Sequence, residues 1–441
     1  MTPGARLAAS LDLLTAIAGD PRPADAVAQT FLRARRYIGA GDRRAVTERV
    51  YGLLRRHARL GWWTGHGTPR DRLIADLVLT DGLTVKAIKA LFSGQGHEPE
   101  PLTGPERTLA ERLQGQPLEP PEMPEADRLE LPEWLLEPLS ASLSATVGPD
   151  WRAALAALNG EAPLDLRVNT LKADREGARA ALAEADITAV DGPLAPLALR
   201  VEGRVNLAAT APFRDGLVEV QDAGSQVAAA LVGATPGMAV CDLCAGAGGK
   251  TLALAAAMAG KGRLLACDVS APRLDRAKVR LRRAGVHNAT LHVLDESGRK
   301  WLKRQAGAFD RVLVDAPCSG TGAWRRNPDA RWRLDPEDLV NLAAEQDAIL
   351  VRAARLVRPG GRLIYVTCSV LTAENEDRVA AFLTGPAGAG FAPVPVVEAW
   401  AEAGLPPDTC PAAGDALSLR LVPSVHATDG FFAAVLRRAE E

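Results

Sequence analysis

The stretch that decides the fold reads MAVCDLCAGAGGKT and covers residues 238–251. A short apolar run is followed by small residues and glycines, which open a predicted helix. This succession is typical of the first strand and turn of a nucleotide-binding α/β sheet, where small side chains let a ligand approach the backbone. We therefore predict a Rossmann-like sheet that holds a ligand at this turn.

Two phosphate-binding patterns fit the turn incompletely. A P-loop reads G-x-x-x-x-G-K-[ST], and Gly249, Lys250 and Thr251 supply its end, but Cys244 occupies the position of its first glycine. The dinucleotide fingerprint G-x-G-x-x-G fails as well, because Thr251 stands where its last glycine belongs. A ligand that has a ribose and an adenine but needs no pyrophosphate site, such as S-adenosylmethionine, fits the turn better.

Acidic residues close the next two predicted strands. Asp268 ends RLLACD about twenty residues after the turn, where a carboxylate accepts hydrogen bonds from ribose hydroxyls. Asp295 ends HVLD, and we expect it to face an adenine. Each acid by itself is equally typical of a helix N-cap. Together with the glycine turn, the two acids favour a cofactor site.

The rest of the chain predicts three parts. Beyond residue 225, apolar strands alternate with amphipathic helices, which is typical of a doubly wound α/β sheet covered on both faces. The expected organisation is an all-helical domain with an acidic, proline-rich linker at residues 1–125, a small α+β, RRM-like unit at 126–225, and a Rossmann-like domain at 226–441.

The composition describes a globular protein with unevenly distributed charge. The 441 residues carry a net charge of −2, but residues 1–60 hold eleven arginines against five acidic residues. This excess favours an anionic partner such as RNA, although arginines that only solvate helix faces would produce it too. The six scattered cysteines and the lack of a long apolar run predict a cytoplasmic protein without a membrane span. A single C-x-x-C pair predicts no metal site.

Two cysteines stand at the ends of predicted strands. Cys318 follows Asp315 in RVLVDAPCSGTG, residues 311–322, and Cys368 lies in YVTCS, residues 365–369. Because the carboxyl ends of neighbouring parallel strands meet at one edge of a sheet, we expect both thiols beside the ligand of the glycine turn. Thiols in such a position are candidates for nucleophilic catalysis.

Several motifs resemble one enzyme family. DAPCSGTG with the following RRNPD, YVTCS with the following ENE, and HATDGFF near the end are similar to the RNA cytosine-C5 methyltransferases of the RsmB and NSUN type. The resemblance runs from about Leu131 to Arg438, and residues 1–95 more loosely resemble the NusB-like RNA-binding domain of the RsmB group. One departure is that Gly246 and Ala247 replace the Ala-Pro pair usual in the loop of the family.

The resemblance implies an activity and roles for single residues. The activity is methyl transfer from S-adenosylmethionine to C5 of cytosine in RNA, with small-subunit (16S) ribosomal RNA as the expected substrate. Cys368 matches the nucleophile that adds to C6, Cys318 matches the thiol that helps to resolve the adduct, and Asp315 hydrogen-bonds the base near N3. The residues expected at the cofactor are Cys244, Ala245, Gly246, Gly248, Gly249, Lys250, Asp268, Arg273, Asp295 and Asp315.

Other functions are compatible with parts of this pattern. A transfer RNA substrate would use the same residues. A non-catalytic RNA-binding assembly or antitermination factor would keep the fold, but it would not need both cysteines and Asp315. A DNA cytosine methyltransferase is disfavoured, because such enzymes use the cysteine of the Pro-Cys motif and need no thiol at the position of Cys368. We expect a monomer.

Overall fold

The computed structural model describes residues 1–203 and 205–440. These residues pack into two compact units. The first unit comprises Met1–Ser140 and Trp324–Leu334, and the second comprises Ala141–Ala323 and Asp335–Glu441. In both described stretches of the chain, no helix combines the length and the apolar character that crossing a membrane requires.

The first unit is built from helices, as the sequence predicts. Thr103 caps one of them: its hydroxyl accepts a hydrogen bond from the N–H of Glu106 at 3.4 Å, and the Glu106 carboxylate accepts one from the N–H of Thr103 at 2.8 Å. This capping box explains why a helix begins inside the proline-rich region. The helices are α1 (Pro3–Ala18), α2 (Ala24–Ala34), α3 (Ala40–Arg55), α4 (His57–Thr64), α5 (Pro69–Leu79), α6 (Val85–Leu91), α7 (Gly104–Leu113) and α8 (Glu125–Arg128), and the chain continues into α9 (Glu133–Val147).

Several arginines of residues 1–60 bind acidic side chains inside the first unit. The fully buried carboxylate of Asp76 accepts hydrogen bonds from Arg49 at 2.7 Å and from Arg56 at 2.8 Å. Arg59 donates in the same way to the buried Glu130 at 2.7 Å. A buried carboxylate needs such partners, because burying an unpaired charge is costly. Part of the positive charge of this region therefore serves folding.

The segment Trp324–Leu334 completes the first unit. Its Asp329 accepts a hydrogen bond from the backbone N–H of Ala24 at 3.0 Å, and its Arg331 donates to the carbonyl of Glu130 at 2.9 Å. The sequence does not indicate that eleven residues so far along the chain pack with the N-terminal helices, because nothing in their composition sets them apart from a loop.

The second unit contains a small antiparallel sheet whose strands occur in the order β2-β3-β1-β4. The α+β character predicted for this region is confirmed. The strand β2 was not predicted, because its three residues are mostly exposed and form no apolar run. The elements are α10 (Trp151–Leu158), β1 (Leu164–Val168), α11 (Arg175–Glu184), β2 (Ala189–Asp191), β3 (Ala198–Val201), α12 (Ala211–Arg214) and β4 (Val218–Val220).

The second unit also contains the predicted Rossmann-like sheet. Its strand order is β10-β12-β9-β8-β5-β6-β7, and β11 pairs with β12. The strands are β5 (Ala239–Asp242), β6 (Arg263–Asp268), β7 (Ala289–Val293), β8 (Phe309–Asp315), β9 (Val357–Thr367), β10 (Phe391–Val394), β11 (Leu419–Leu421) and β12 (Phe431–Arg438). The helices are α13 (Ala223–Ala230), α14 (Gly249–Ala257), α15 (Ala271–Ala284), α16 (Glu296–Lys303), α17 (Pro336–Ala354), α18 (Glu376–Thr384), α19 (Val396–Glu402) and α20 (Pro423–His426).

The central strands explain where a ligand binds. Strands β5 to β9 are parallel neighbours, and the core residues of β8 and β9, such as Leu313 and Ile364, are fully buried. The chain leaves β5 first towards β6 and β7, and it later returns to place β8 and β9 on the other side. Ligands of such sheets bind at the carboxyl ends of the strands, where the order reverses. We call this edge, formed by the carboxyl ends of β5 to β9, the reactive edge.

Candidate active site

The glycine turn lies at the reactive edge between β5 and α14. Gly246 has a φ of 54° and Gly248 a φ of 83°, a backbone conformation that side-chain-bearing residues rarely adopt. A Cβ atom on Gly248 would come within 3.0 Å of the Ala277 Cβ, so this position also needs glycine for close packing. A Cβ atom on Gly246 would meet no atom within 4 Å, so its backbone faces open space. The turn thus presents backbone that a ligand can approach.

Asp268 binds the glycine turn directly. Its carboxylate accepts hydrogen bonds from the N–H of Gly246 at 2.8 Å and from the N–H of Ser270 at 2.7 Å. Each carboxylate oxygen has a second lone pair available. Asp268 therefore holds the turn in place and retains acceptors for the hydroxyl groups of a ligand.

Asp242 is a buried carboxyl group at the end of β5 that the sequence analysis did not single out. The Thr251 hydroxyl donates to its Oδ2 at 2.6 Å, while Oδ1 has no hydrogen-bond partner among the described residues. Burial raises the pKa of Asp242 to about 7, and the negative charges of Asp315 and Asp268 act in the same direction. The available signal is its position as the last residue of β5, the strand that leads into the glycine turn.

Asp295 and Arg273 are two further residues that the sequence predicts at the cofactor. Asp295 caps α16, because its carboxylate accepts hydrogen bonds from the N–H of Gly298 at 2.7 Å and from the Ser297 hydroxyl at 2.9 Å. These bonds hold the pKa of Asp295 below its usual value. Arg273 is exposed in the first turn of α15. A cofactor contact of Asp295 or Arg273 stays a prediction.

The two predicted thiols meet at the reactive edge. The Sγ atoms of Cys318 and Cys368 lie 3.5 Å apart, a distance that permits a hydrogen bond between them. Both cysteines are free thiols and partly accessible. The pKa of Cys318 is raised well above its usual value by the hydrogen bond with Cys368, by burial, and by the charges of Cys368 and Glu374.

Lys250 brings a positive charge to the same place. Its ammonium group lies 2.7 Å from Oδ2 of Asp315, and 5.3 Å from the centre of the Phe431 ring. Burial opposes the charge of Lys250, but Asp315 and, to a smaller extent, Cys368 raise its pKa above the usual value. Lys250 is predicted at the cofactor, and in the structure it forms an ion pair with Asp315, the carboxylate near the thiols.

The two thiols therefore have different electrostatic surroundings. The positive charge of Lys250 interacts with Cys368, whereas the negative charge of Glu374 opposes ionisation of Cys318. A cation stabilises a thiolate and a carboxylate disfavours it. The arrangement disfavours a thiolate at Cys318 and places the positive charge of Lys250 near Cys368.

No group of three or more histidine, cysteine or acidic side chains suited to a metal ion occurs in the described parts of the chain. The reactive groups at the reactive edge are the thiol pair, the lysine–aspartate pair and the carboxyl groups near the glycine turn.

The sheet order and the glycine turn are those of the Rossmann-like methyltransferase fold, and the thiol pair lies at the ligand-binding edge of this sheet. Residues 229–437 match the family described as 16S rRNA methyltransferase RsmB/F, and residues 131–208 match the ferredoxin-like domain of RsmF/B-like methyltransferases. The chain belongs to this RsmB/F family of methyltransferases. The family resemblance and the fold class predicted from the sequence are thereby confirmed.

Three proteins illustrate the similarity. The ribosomal RNA small subunit methyltransferase B of Pasteurella multocida is 34% identical over 310 residues, or 70% of this chain and 65% of the relative. The probable ribosomal RNA small subunit methyltransferase B of Synechocystis sp. is 33% identical over 71% of this chain and 68% of the relative. The crystal structure of PH0851 is 27% identical and has a TM-score of 0.77, covering 100% of this chain and 99% of that chain.

The chain does not match its relatives over their whole length. It spans 65% of the Pasteurella multocida protein and 57% of the protein of the same name from Sodalis glossinidius.

Proposed function

We propose that this protein transfers a methyl group to C5 of cytosine in RNA, with small-subunit ribosomal RNA as its substrate. The observation that carries the proposal is the thiol pair Cys318 and Cys368, with Sγ atoms 3.5 Å apart, beside the ion pair of Lys250 and Asp315. C5 of cytosine is a weak nucleophile, and covalent addition of a thiolate to the ring overcomes this weakness.

S-adenosylmethionine is the proposed methyl donor. The open backbone at Gly246 and the acceptors of Asp268 suit a ligand that carries ribose hydroxyls. Oδ1 of Asp242 is buried without a partner in the described chain, which leaves a polar atom next to the turn for a ligand or its water. When bound, this cofactor supplies the methyl group that C5 takes. The cofactor that remains is a neutral thioether.

The first step of the proposed mechanism uses Cys368. Its thiolate forms a bond from Sγ to C6, and the electron pair of the C5=C6 double bond moves towards C5 and N3 of the ring. Asp315 hydrogen-bonds the base near N3, and Lys250 next to it provides positive charge for the electron density that develops there. The ring then has the electron density at C5 that methylation requires.

The last step uses Cys318. Release requires that C5 lose its proton and that the C6–Sγ bond break, which restores the double bond and returns the thiolate to Cys368. While Cys368 is bound to C6, it no longer raises the pKa of Cys318 through its charge and hydrogen bond. Cys318 then gives its own proton to solvent more readily and takes the proton of C5 in turn.

RNA is the proposed partner of the first unit as well. Arg33, Arg36 and Arg44 are exposed, and Tyr37 beside them is 75% exposed. Exposed arginines bind phosphates, and an exposed aromatic ring stacks on unpaired bases. The names of the relatives support ribosomal RNA as the substrate, and we propose that the protein meets this RNA in the cytoplasm.

The two thiols provide the experiment that tests the function. We expect the Cys368→Ser variant to form no covalent RNA adduct and to transfer no methyl group, because a serine hydroxyl is essentially un-ionised at neutral pH. The Cys318→Ala variant keeps the nucleophile, so it should add to the base, methylate it and remain attached to the RNA. A denaturing gel with small-subunit ribosomal RNA and labelled cofactor detects both outcomes, and Cys410→Ser is the matched control.

Each result decides one point. A slowly migrating adduct in Cys318→Ala that is absent in Cys368→Ser supports the mechanism. The reverse pattern would make Cys318 the nucleophile. If neither variant loses activity, the thiol mechanism is wrong. If transfer RNA but not ribosomal RNA accepts the labelled methyl group, the proposed substrate is wrong.

A further inference from the structure

The carboxylate of Glu374 holds the loop that carries Cys318. Its oxygens accept hydrogen bonds from the backbone N–H of Ser319 at 2.8 Å, from the Ser319 hydroxyl at 2.5 Å and from Nε2 of Gln346 at 3.1 Å. The same Nε2 atom donates to the carbonyl of Pro317 at 2.9 Å. The residues on both sides of Cys318 are thus fixed by one carboxylate and one amide.

The burial of this carboxylate calls for a functional reason. Glu374 is fully buried, and no lysine or arginine in the described chain forms an ion pair with it. Burying a charge without a counter-ion is unfavourable, and the three hydrogen bonds offset that cost. A neutral residue able to accept the same hydrogen bonds would hold the Cys318 loop without the free-energy cost of burying a charge. The negative charge itself is therefore the feature to explain.

We propose that Glu374 is a positioning residue that makes the two thiols unequal: it fixes Cys318 next to Cys368 and keeps their shared proton on Cys318. The Cys368 sulfur is then left as the nucleophile. This inference rests on the proposed function for its purpose only, since the ionisation of the two thiols is measured without RNA or cofactor. The raised pKa of Cys318, to which Glu374 contributes, agrees with it.

Limited alkylation tests the inference on the full-length protein. A thiolate displaces iodide from iodoacetamide far faster than a thiol does, so the ratio of modified Cys368 to modified Cys318 reports which sulfur is ionised. Peptide mass spectrometry measures this ratio. We expect Glu374→Gln, which keeps the shape but loses the charge, to lower the ratio about tenfold, the effect of roughly one pKa unit.

Two further variants separate charge from structure. Glu376→Gln is the matched control, because Glu376 lies two positions away and binds Arg420 at 2.5 Å instead of the Cys318 loop. In this variant the ratio of modified Cys368 to modified Cys318 should equal that of the unmodified protein. Glu374→Asp keeps the charge and should retain most of the ratio. The fully buried Cys241 and Cys267 serve as internal reporters of unfolding, since they react only if the variant loses its fold.

The outcomes decide the inference without reference to methyl transfer. A ratio that is unchanged in a folded Glu374→Gln variant would overturn it, as would preferential modification of Cys318 in the unmodified protein. If Glu374→Gln exposes Cys241 and Cys267, the milder Ser319→Ala variant carries the test. It removes one hydrogen bond to the carboxylate but keeps the negative charge, so the ratio should stay within about threefold of that of the unmodified protein. A ratio lowered about tenfold would overturn the inference, because it would show that the hydrogen bond and not the charge makes the two thiols unequal. Failure of the proposed function would instead appear as a missing RNA adduct with the alkylation ratio intact.

Discussion

The two sides of the reactive edge are stabilised in different ways. On the thiol side, at the ends of β8 and β9, side chains tie two loops to each other: the hydroxyls of Thr321 and Ser369 lie 3.0 Å apart, and the N–H of Val370 donates to Thr321 at 2.9 Å. On the carboxylate side, Asp268 and Asp295 accept hydrogen bonds from the backbone of adjacent turns.

This difference follows from what each side must keep constant. Chemistry between two thiols and a base requires that residues distant in sequence hold a fixed separation. Side-chain bonds between the two loops contribute to this, as does the backbone hydrogen bond from the N–H of Gly322 to the carbonyl of Cys368 at 2.9 Å. The glycine turn needs its backbone in the right conformation, which Asp268 secures from the end of the neighbouring strand β6. Lys250 connects the carboxylate side with the thiol side. Its backbone lies in the first turn of α14, and its ammonium group forms an ion pair with Asp315.

The largest effect is expected where the two sides meet. Lys250→Gln removes the cation that stabilises a thiolate at Cys368 and pairs with Asp315, so adduct formation should slow by about 100- to 1,000-fold, as is typical for loss of one electrostatic contact to a transition state. Single-turnover gels measure the rate, and Lys261→Gln, an exposed lysine of the same unit, is the control. A rate within threefold of normal would mean that Lys250 serves the cofactor side alone.

The next effect concerns stability as a function of pH. The pKa of Asp242 is raised in the folded protein to about 7 from an ordinary value of 3.8, so its protonated form stabilises the fold at low pH, and this contribution is lost as the pH rises to about 7. Relative to Asp242→Asn, the protein should lose on the order of 3 kcal/mol of stability between pH 4 and pH 8. Urea unfolding of both proteins measures this, and a pH-independent difference would show that Asp242 is ionised throughout.

A smaller effect is expected for cofactor binding. Asp268→Ala removes the acceptors next to Gly246, so the affinity for S-adenosylmethionine should fall about ten- to a hundredfold, the usual range for a charge-assisted hydrogen bond. Calorimetry measures the affinity. Asp275→Ala, on the exposed face of α15, should leave it unchanged. Equal affinities for the two variants would remove Asp268 from the cofactor site.

The smallest effect is expected at Asp295, whose side chain is engaged in capping α16. Asp295→Ala should lower Tm by about 1–2 °C through loss of the cap. The affinity for S-adenosylmethionine should fall only a few-fold, since β7 lies two strands away from β5. Scanning calorimetry and titration measure the two quantities. A drop in affinity as large as that for Asp268→Ala would show that the cofactor site includes the carboxylate of Asp295 at the end of β7.

Much of the second unit was predictable from local patterns. The apolar runs of β5 to β9 and the helices α14, α15 and α17 follow from residue periodicity, because burial on both faces of a sheet demands continuous apolar strands. Helix α16, between β7 and β8, was not predicted. The antiparallel pair of β11 and β12 near the end was also predicted and is confirmed. The short strands β2 and β10 were not predicted, since three or four residues without a clear pattern carry too little signal.

The sequence by itself determined which chemical groups this protein has and on which kind of element each stands: a glycine turn after a strand, acids at strand ends and two cysteines in loops. These properties are local, because hydrophobic period and turn residues act over a few positions. Only the tertiary structure decided that Cys318 and Cys368, fifty positions apart, lie 3.5 Å from each other, and that Glu374 and Lys250 give them different surroundings. Those relations depend on the order of the strands in the sheet, which no local pattern contains.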